Sequence, residues 1–288
     1  MSDWGKGVNN DIGWGQGADN NIGWGSIYAK SNSGLTLLLA SQFDSNYQAV
    51  INYANNESLT LPNDTIQGLQ NDFAISINGF FSKFKELHFW SGEAGKSDFK
   101  SIDWARLNKA DYYNSPTFLA EGIEGNGTSS YADLNFNADA ETAIDSLTFG
   151  FYAPNNIASV TSESIMGSNN AESEGILFIK RDNGDSIFSV NSEPILSNAE
   201  PTQGLISISS DGTISTLRQG TTTLGTETIN TPAKATQSIF LLNRNSNGLP
   251  TNTQFIDDTI SISFIADELT VTELGILETA IETFLNAI

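Results

Sequence analysis

The stretch "SLTFGFYAP" at Ser146–Pro154 decides the fold. It is of strand length, it is apolar and aromatic, and a proline closes it. Five similar runs follow: "SIMGSNN" (Ser164–Asn170), "GILFIKRDNGDSIFSV" (Gly175–Val190), "GLISISSDGTISTL" (Gly204–Leu217), "QSIFLLNRN" (Gln237–Asn245) and "TISISFIAD" (Thr259–Asp267). Each is rich in Ile, Phe, Val, Leu or Thr and bounded by Gly, Asn, Asp or Pro, the pattern of short strands. Asn183-Gly184 lies between Ile179 and Phe188, and Asp211-Gly212 between Ile208 and Ile214. Both dipeptides accept positive φ at low cost, as tight hairpins require. Many short strands joined this way make an antiparallel sandwich. The expected fold is therefore mainly β, centred on Ser115–Ile265.

The composition bounds what such a body does. The 288 residues are 39% hydrophobic and 10% aromatic, enough for a large core. Thirteen basic against 34 acidic residues give a formal charge of −21. A binder that tracks phosphates needs a basic face, so no nucleic acid is expected as a partner. Simple attraction to anionic lipid is excluded on the same ground. The acidity reads first as solubility. Without cysteine, disulfides and thiolate chemistry are out of reach. "MSDWGKGVNN" lacks the basic and apolar regions of a signal peptide, so synthesis in a cytoplasm is expected. "GLTLLLA" (Gly34–Ala40) is far shorter than the ~20 residues of a spanning helix, so no membrane insertion is expected.

Residues 1–26 carry an internal repeat. "NDIGWGQG" (Asn10–Gly17) matches "NNIGWGS" (Asn20–Ser26), and "DWGKG" (Asp3–Gly7) is a partial earlier copy. Trp4, Trp14 and Trp24 recur every ten residues, each followed by a glycine: Gly5, Gly15 and Gly25. Short periods of this kind mark extended or arrayed elements. Each indole left in water exposes about 150–250 Å² of surface. Aromatic residues are enriched at interface hot spots. The arm, residues 1–33, is expected to anchor the chain, its tryptophans filling partner pockets and its glycines letting backbones approach. The alternative is that the indoles fold back on their own sandwich.

Residues 34–113 read as helical, with one strand and a loop. Ser45 and Gln48 form a capping-box pattern for a helix carrying Val50, Ile51 and Ala54. A longer helix is expected over Asn63–Phe84, with Pro62 in its first turn. Ile66, Leu69, Phe73, Ile77, Phe80 and Phe84 share one face, read as internal core. "KELHFW" reads as a strand, and its lone His88 as a core residue. Trp90 and Trp104 are read as packing residues. The segment from Ser91 to Ser115 is read as polar loop. At the far end Thr270 and Glu273 form a capping box, and Leu269 with Leu274 a hydrophobic staple. Leu274, Leu277, Ile281, Phe284 and Leu285 line one side of that helix, which is expected to pack on "TISISFIAD".

The order of these pieces resembles a known family. "YQAVINYANNESLTLP", then "GIEGNGTSSYADLNFN", then a sandwich, then "LTVTELGILETAIETFL" is similar to LamG-like, concanavalin A-type jelly-roll modules of tailed phages of Bacteroidota, crAss-like phages among them. The likeness covers about Tyr47 to the C-terminus, and the Gly-Trp-Gly repeats also resemble those of phage structural proteins. It implies a jelly roll over 114–288 and a virion structural protein: a fibre, spike or decoration. Its arm would hold capsid, portal or tail proteins, and its assembly would be a homo-oligomer, a trimer by analogy. A host adhesin that binds surface glycan is the alternative, with a glycan-cleaving depolymerase behind it.

Chemistry is expected to be absent. Glucanases on this fold resemble E-x-D-x-x-E in their catalytic strand, which places two carboxylates for retaining hydrolysis. The pattern is missing here. Glu172 and Glu174 are wrongly spaced, and the adjacent Asp257 and Asp258 point to opposite faces of a strand. With one histidine and no cysteine, nucleophilic triads have little to work with, and HExxH, Walker A and zinc spacings are absent. The "GEAGKSD" at Gly92–Asp98 has its glycines too close for a phosphate loop. No cofactor or metal is expected. Asp182, Asp185, Asp211 and Asp257 near turns are read as solvated charges, Ca²⁺ at the sandwich rim being the alternative.

Overall fold

A computed structural model describes residues 27–30, 36–39, 43–142, 146–157, 163–171, 174–180, 186–190, 195–197, 201–229, 235–251 and 253–288. The chain divides into two compact units, Met1–Phe43 and Asp44–Ile288. In the first, β1 (Ile27–Lys30) and β2 (Thr36–Leu39) pair antiparallel, Ile27 opposite Leu39. The indole repeat at Trp4, Trp14 and Trp24, with Gly5, Gly15 and Gly25, lies outside the described residues.

The second unit is an antiparallel β-sandwich, as its strand pattern requires. Its elements begin with α1 (Ser45–Asn56), α2 (Asp64–Ile77), β3 (Phe84–Phe89), α3 (Ser97–Lys100) and β4 (Asp111–Tyr113). Next come β5 (Thr117–Phe118), β6 (Ile123–Glu124), β7 (Tyr131–Asn137), α4 (Ala138–Glu141), β8 (Leu147–Ala153), β9 (Glu163–Ala171), β10 (Glu174–Lys180), β11 (Ser186–Val190) and β12 (Ile195–Ser197). The last are β13 (Gly204–Ser210), β14 (Ile214–Gln219), β15 (Thr222–Thr228), β16 (Ser238–Leu241), β17 (Asn245–Ser246), β18 (Leu249–Pro250), β19 (Thr259–Ile260), β20 (Ile262–Ala266) and α5 (Val271–Leu285). One sheet runs β15-β14-β13-β8-β20-β3 and the other β12-β11-β10-β9-β16-β7-β4, with β17 beside β9 and β18 beside β17.

Period-two alternation sorts the side chains. On β8, Leu147, Phe149 and Phe151 point between the sheets, joined by Ile206, Ile208, Leu217 and Ile265. From the facing sheet come Leu134, Phe136, Met166, Phe188, Ile239 and Leu241. Each such side chain contributes roughly 1.5–3 kcal/mol by leaving water. The opposite face of the six-stranded sheet is covered by helices. Phe89 of β3 packs edge-on against Phe73 of α2 and Phe284 of α5, with centroids 4.7 Å away in both cases. Trp104 stacks on Phe89 at 5.2 Å and meets Tyr47 of α1 at 5.3 Å. Trp90 and Trp104 are packing residues, and the α2 stripe faces its own core. The helical segment is thus built into the sandwich through β3, which pairs with β20.

Local details differ from the sequence reading where short polar residues compete for caps. The α1 cap is Asp44, whose Oδ1 accepts from Asn46 N at 2.9 Å, not Ser45. Helix α2 starts after Asn63, whose Oδ1 accepts from Ile66 N, so Pro62 precedes the cap. It also stops at Ile77, where Asn78-Gly79 turn the chain into a 3-10 segment over Asn78–Lys83. The capping box of α5 forms as read, Thr270 Oγ1 accepting from Glu273 N and Glu273 Oε2 from Thr270 N. This helix covers the sheet beside α2, and its contacts extend to β13 as well as Phe89.

The "GIEGNGTSS" stretch owes Gly122 and Gly125 to close backbone approach. A Cβ at Gly125 would sit 1.9 Å from the Ile256 carbonyl oxygen, and one at Gly122 2.2 Å from that of Ile260. Between them and β7, the Asn126 side chain accepts from the backbone of Thr128, Ser129 and Ser130, folding the loop around one carbonyl.

Candidate functional site

Within the segment expected to be polar loop, Asp111–Tyr113 form β4, the edge strand that creates the candidate site. Three residues of "ADYYNS" pair with β7, placing Asp111 opposite Asp133 and Tyr113 opposite Tyr131. β16 lies on the other side of β7, with Phe240 opposite Asp133. Residues 131, 133, 135 and 137 of β7 alternate outward, while Ala132, Leu134 and Phe136 are buried. The outer face of β4-β7-β16 therefore presents rings and polar groups together.

The rings form a ladder across the strands. Tyr113 and Tyr131 stack nearly parallel, with centroids 4.8 Å apart and planes at 14°. Phe240 continues the row 4.7 Å from Tyr131 and is itself buried. Tyr113 stays 43% exposed, which leaves a ring face and its hydroxyl open to solvent. Burial and the carboxylates of Asp111 and Asp133 push the Tyr113 hydroxyl pKa up; burial, Tyr113 and Asp133 do the same for Tyr131. Both phenols remain donors at neutral pH.

A β-bulge aims the polar groups. Between Ser238 and Phe240 the register with β7 slips, Ser238 facing Asn137 while Phe240 faces Asp133. Two extra residues of β7 lie there, and Asn135 adopts a left-handed φ of 53°. Asparagine tolerates this region better than most residues. The turn is fixed from several sides. Asn135 N donates to Asp133 Oδ1 at 2.9 Å, and Nδ2 donates to Asp111 Oδ2 and to the Lys109 carbonyl, both at 3.0 Å. Ser238 Oγ also donates to Asp133 Oδ1. Arg106 donates to the carbonyls of Asn135 and Leu134 at 3.0 Å. Bulges concentrate where a strand must re-aim a side chain. Here one leaves Asp111 and Asn135 exposed beside the tyrosine pair.

A second ionisable group of residues is sealed. Glu86 and His88 project from β3 into the sandwich edge, fully buried, His88 stacked on Trp90 at 4.7 Å. Asp103 accepts from Leu87 N at 3.0 Å and pairs with Arg106. This group is enclosed at the β3 edge, away from the β4-β7-β16 face.

Of the rim acids, Asp211 is held in the β13–β14 turn, where Ile214 N and Thr213 N donate to Oδ1 at 2.7 and 2.8 Å and lower its pKa. Asp257 is exposed, and Asp182 and Asp185 lie outside the described residues. Among the described residues no three of His, Cys, Asp and Glu converge to hold a metal ion. The arm residues Trp4, Gly5, Trp14, Gly15, Trp24 and Gly25 likewise lie outside them. Sequence reasoning missed Tyr113, Tyr131, Asp111 and Asn135. The signals were the "DYY" triplet and the Y-x-D-x-N alternation of β7.

No protein-family model and no curated protein matches the chain. Among solved structures it is similar to Trypanosoma rangeli sialidase in complex with sialic acid, with TM-score 0.53 and 10% identity over 76% of this chain and 39% of that one. A mutant of that sialidase displaying trans-sialidase activity gives TM-score 0.54 and 11% identity, over 89% of this chain and 42% of that one. The chain spans 39% to 42% of the length of these enzymes, and the likeness is one of fold.

Proposed function

We propose that this chain is a non-catalytic binding module whose sandwich holds a surface glycan on the outer β4-β7-β16 face. The observation that carries the reading is the exposed Tyr113 ring, stacked parallel on the half-buried Tyr131, with Asp111 and Asn135 on the same face. A sugar ring has an apolar C–H face and an equator of hydroxyls. The first matches an aromatic surface, and the second matches carboxylate and amide groups on the same face. Hydrolysis is a poor fit. Asp111 and Asp133 both accept from Asn135, and the open face excludes no water from a reacting bond.

The carrier is a phage particle. The family resemblance and the indole repeat support a virion protein in which residues 1–26 dock Trp4, Trp14 and Trp24 into another virion protein. The sandwich then projects as a fibre, spike or decoration, as a homotrimer. The intact chain on a glycan array tests the binding module: binding that Tyr113→Ala abolishes supports it, and silence across the array overturns it. Deleting Met1–Ser26 tests the anchor; the expected result is a folded chain missing from particles, and normal incorporation defeats it.

A further inference from the structure

We infer that the β4-β7-β16 face selects uncharged glycans and rejects sialylated and uronate-bearing ones. This inference rests on the glycan-binding reading and narrows it to a ligand class. Two carboxylates, Asp111 and Asp133, stand directly opposite each other on neighbouring strands, two residue pairs along from the stacked tyrosines and next to them on the same face. A sugar seated on the rings places its equatorial groups beside them. Hydroxyls and acetamido N–H groups donate to carboxylate oxygens. A sugar carboxylate meets like charge instead.

The cations nearby do not reverse this. Arg106 is the guanidinium closest to the bulge, and it is engaged below the face. Its Nε bonds Asp103, Nη1 meets Glu141 at 3.1 Å and the Asn135 carbonyl, and its plane lies 4.9 Å over the Phe136 ring. Capturing a carboxylate calls for a guanidinium fork free to receive it. Lys109 precedes β4 at the Asn135 end, away from Tyr113, one lysine against two acids. The charges felt by the Tyr113 hydroxyl are both negative, and the whole chain carries −21. The preference therefore runs opposite to the sialic acid bound by the sialidase of similar fold.

The test compares matched oligosaccharides, neutral and terminally sialylated or uronate-bearing, against the intact chain and Asp111→Asn. Asparagine keeps an acceptor for Asn135 Nδ2, and thermal melting checks that the variant folds. One extra like charge at contact range corresponds to a loss of about ten-fold or more in affinity. The expected result is that neutral glycans bind, their acidic counterparts bind at least about ten-fold more weakly, and Asp111→Asn narrows that ratio. Equal or tighter binding of acidic glycans overturns the selectivity while leaving glycan binding intact. Binding of no glycan at all overturns both. A ratio unchanged in folded Asp111→Asn overturns the assignment of selectivity to this face.

Discussion

Nε2 of His88 lies 3.2 Å from Oε1 of Glu86, with both side chains fully buried at the edge of the sandwich. Burial drives each toward its neutral form: His88 falls to about 4 against the pull of Asp103, and Glu86 rises well above 4.5, burial first and Asp103 second. The two groups therefore bias stability with opposite sign over an overlapping pH range. In the unfolded chain the imidazole takes its proton near 6.5, before the folded one does, so stability falls as pH drops from about 6.5 to about 4. The buried Glu86 carboxyl contributes stability below 4.5 and loses it as pH rises through its folded value. Between about 4.5 and 6.5 the two slopes oppose each other, so this pair should leave the urea midpoint of the intact chain nearly level there. Glu86→Gln should uncover a midpoint that drops with falling pH, and His88→Gln one that drops as pH rises; a midpoint flat from pH 4 to 7 in Glu86→Gln contradicts the buried, neutral imidazole.

Gly125→Ala is expected to cost about 3 kcal/mol, the upper range for overpacking, because its Cβ would meet the Ile256 carbonyl at 1.9 Å and backbone cannot swing aside. Gly79→Ala, where nothing lies within 4 Å, is the control and should stay within about 0.5 kcal/mol of the parent. Chemical denaturation of both variants checks the pair.

Thr270→Ala should lower stability by about 1 kcal/mol through loss of the α5 cap. Glu273→Ala should cost at least as much, because that carboxylate also meets Lys83 Nζ at 2.7 Å across the helix–sheet junction. If Glu273→Ala proves markedly milder than Thr270→Ala, the bridge to Lys83 contributes nothing.

Asn135 separates backbone from chemistry. Glycine accepts φ of 53° freely, so Asn135→Gly should keep the fold and weaken glycan binding by loosening Asp111. Asn135→Val, with a β-branched side chain in the left-handed region, should destabilise the β7–β16 register as well, by about 1–3 kcal/mol. Thermal melts alongside glycan titrations resolve the two effects. Unaltered binding by Asn135→Gly removes the bulge from the site.

The sandwich was legible in the sequence because its strands carry their own turn residues, as at Asp211-Gly212, where Gly212 takes φ of 84°. The capping box at Thr270 and Glu273 was legible because cap and partner lie three residues apart. The α1 cap was not, since Asp44 and Ser45 compete and propensity alone favours neither. The candidate face was illegible for a different reason. Tyr113 meets Tyr131 and then Phe240 only through pairing with distant strands, and "DYY" is too short to announce a strand without its partner. Carboxylates such as Asp111 are common along the chain, and only register singles one out.

β20 sits between β8 and β3, so residues 84–89 hydrogen-bond to a segment made more than 170 positions later. On the ribosome, Leu87 and Phe89 emerge long before the strand that shelters their edge. The segment Ser101–Leu107, whose Trp104 N donates to the Leu87 carbonyl at 2.8 Å, covers the other edge of β3 and leaves this one open in the interval. Assembly of this sheet is therefore a late event of synthesis, and chains cut short before residue 262 should collect as aggregates.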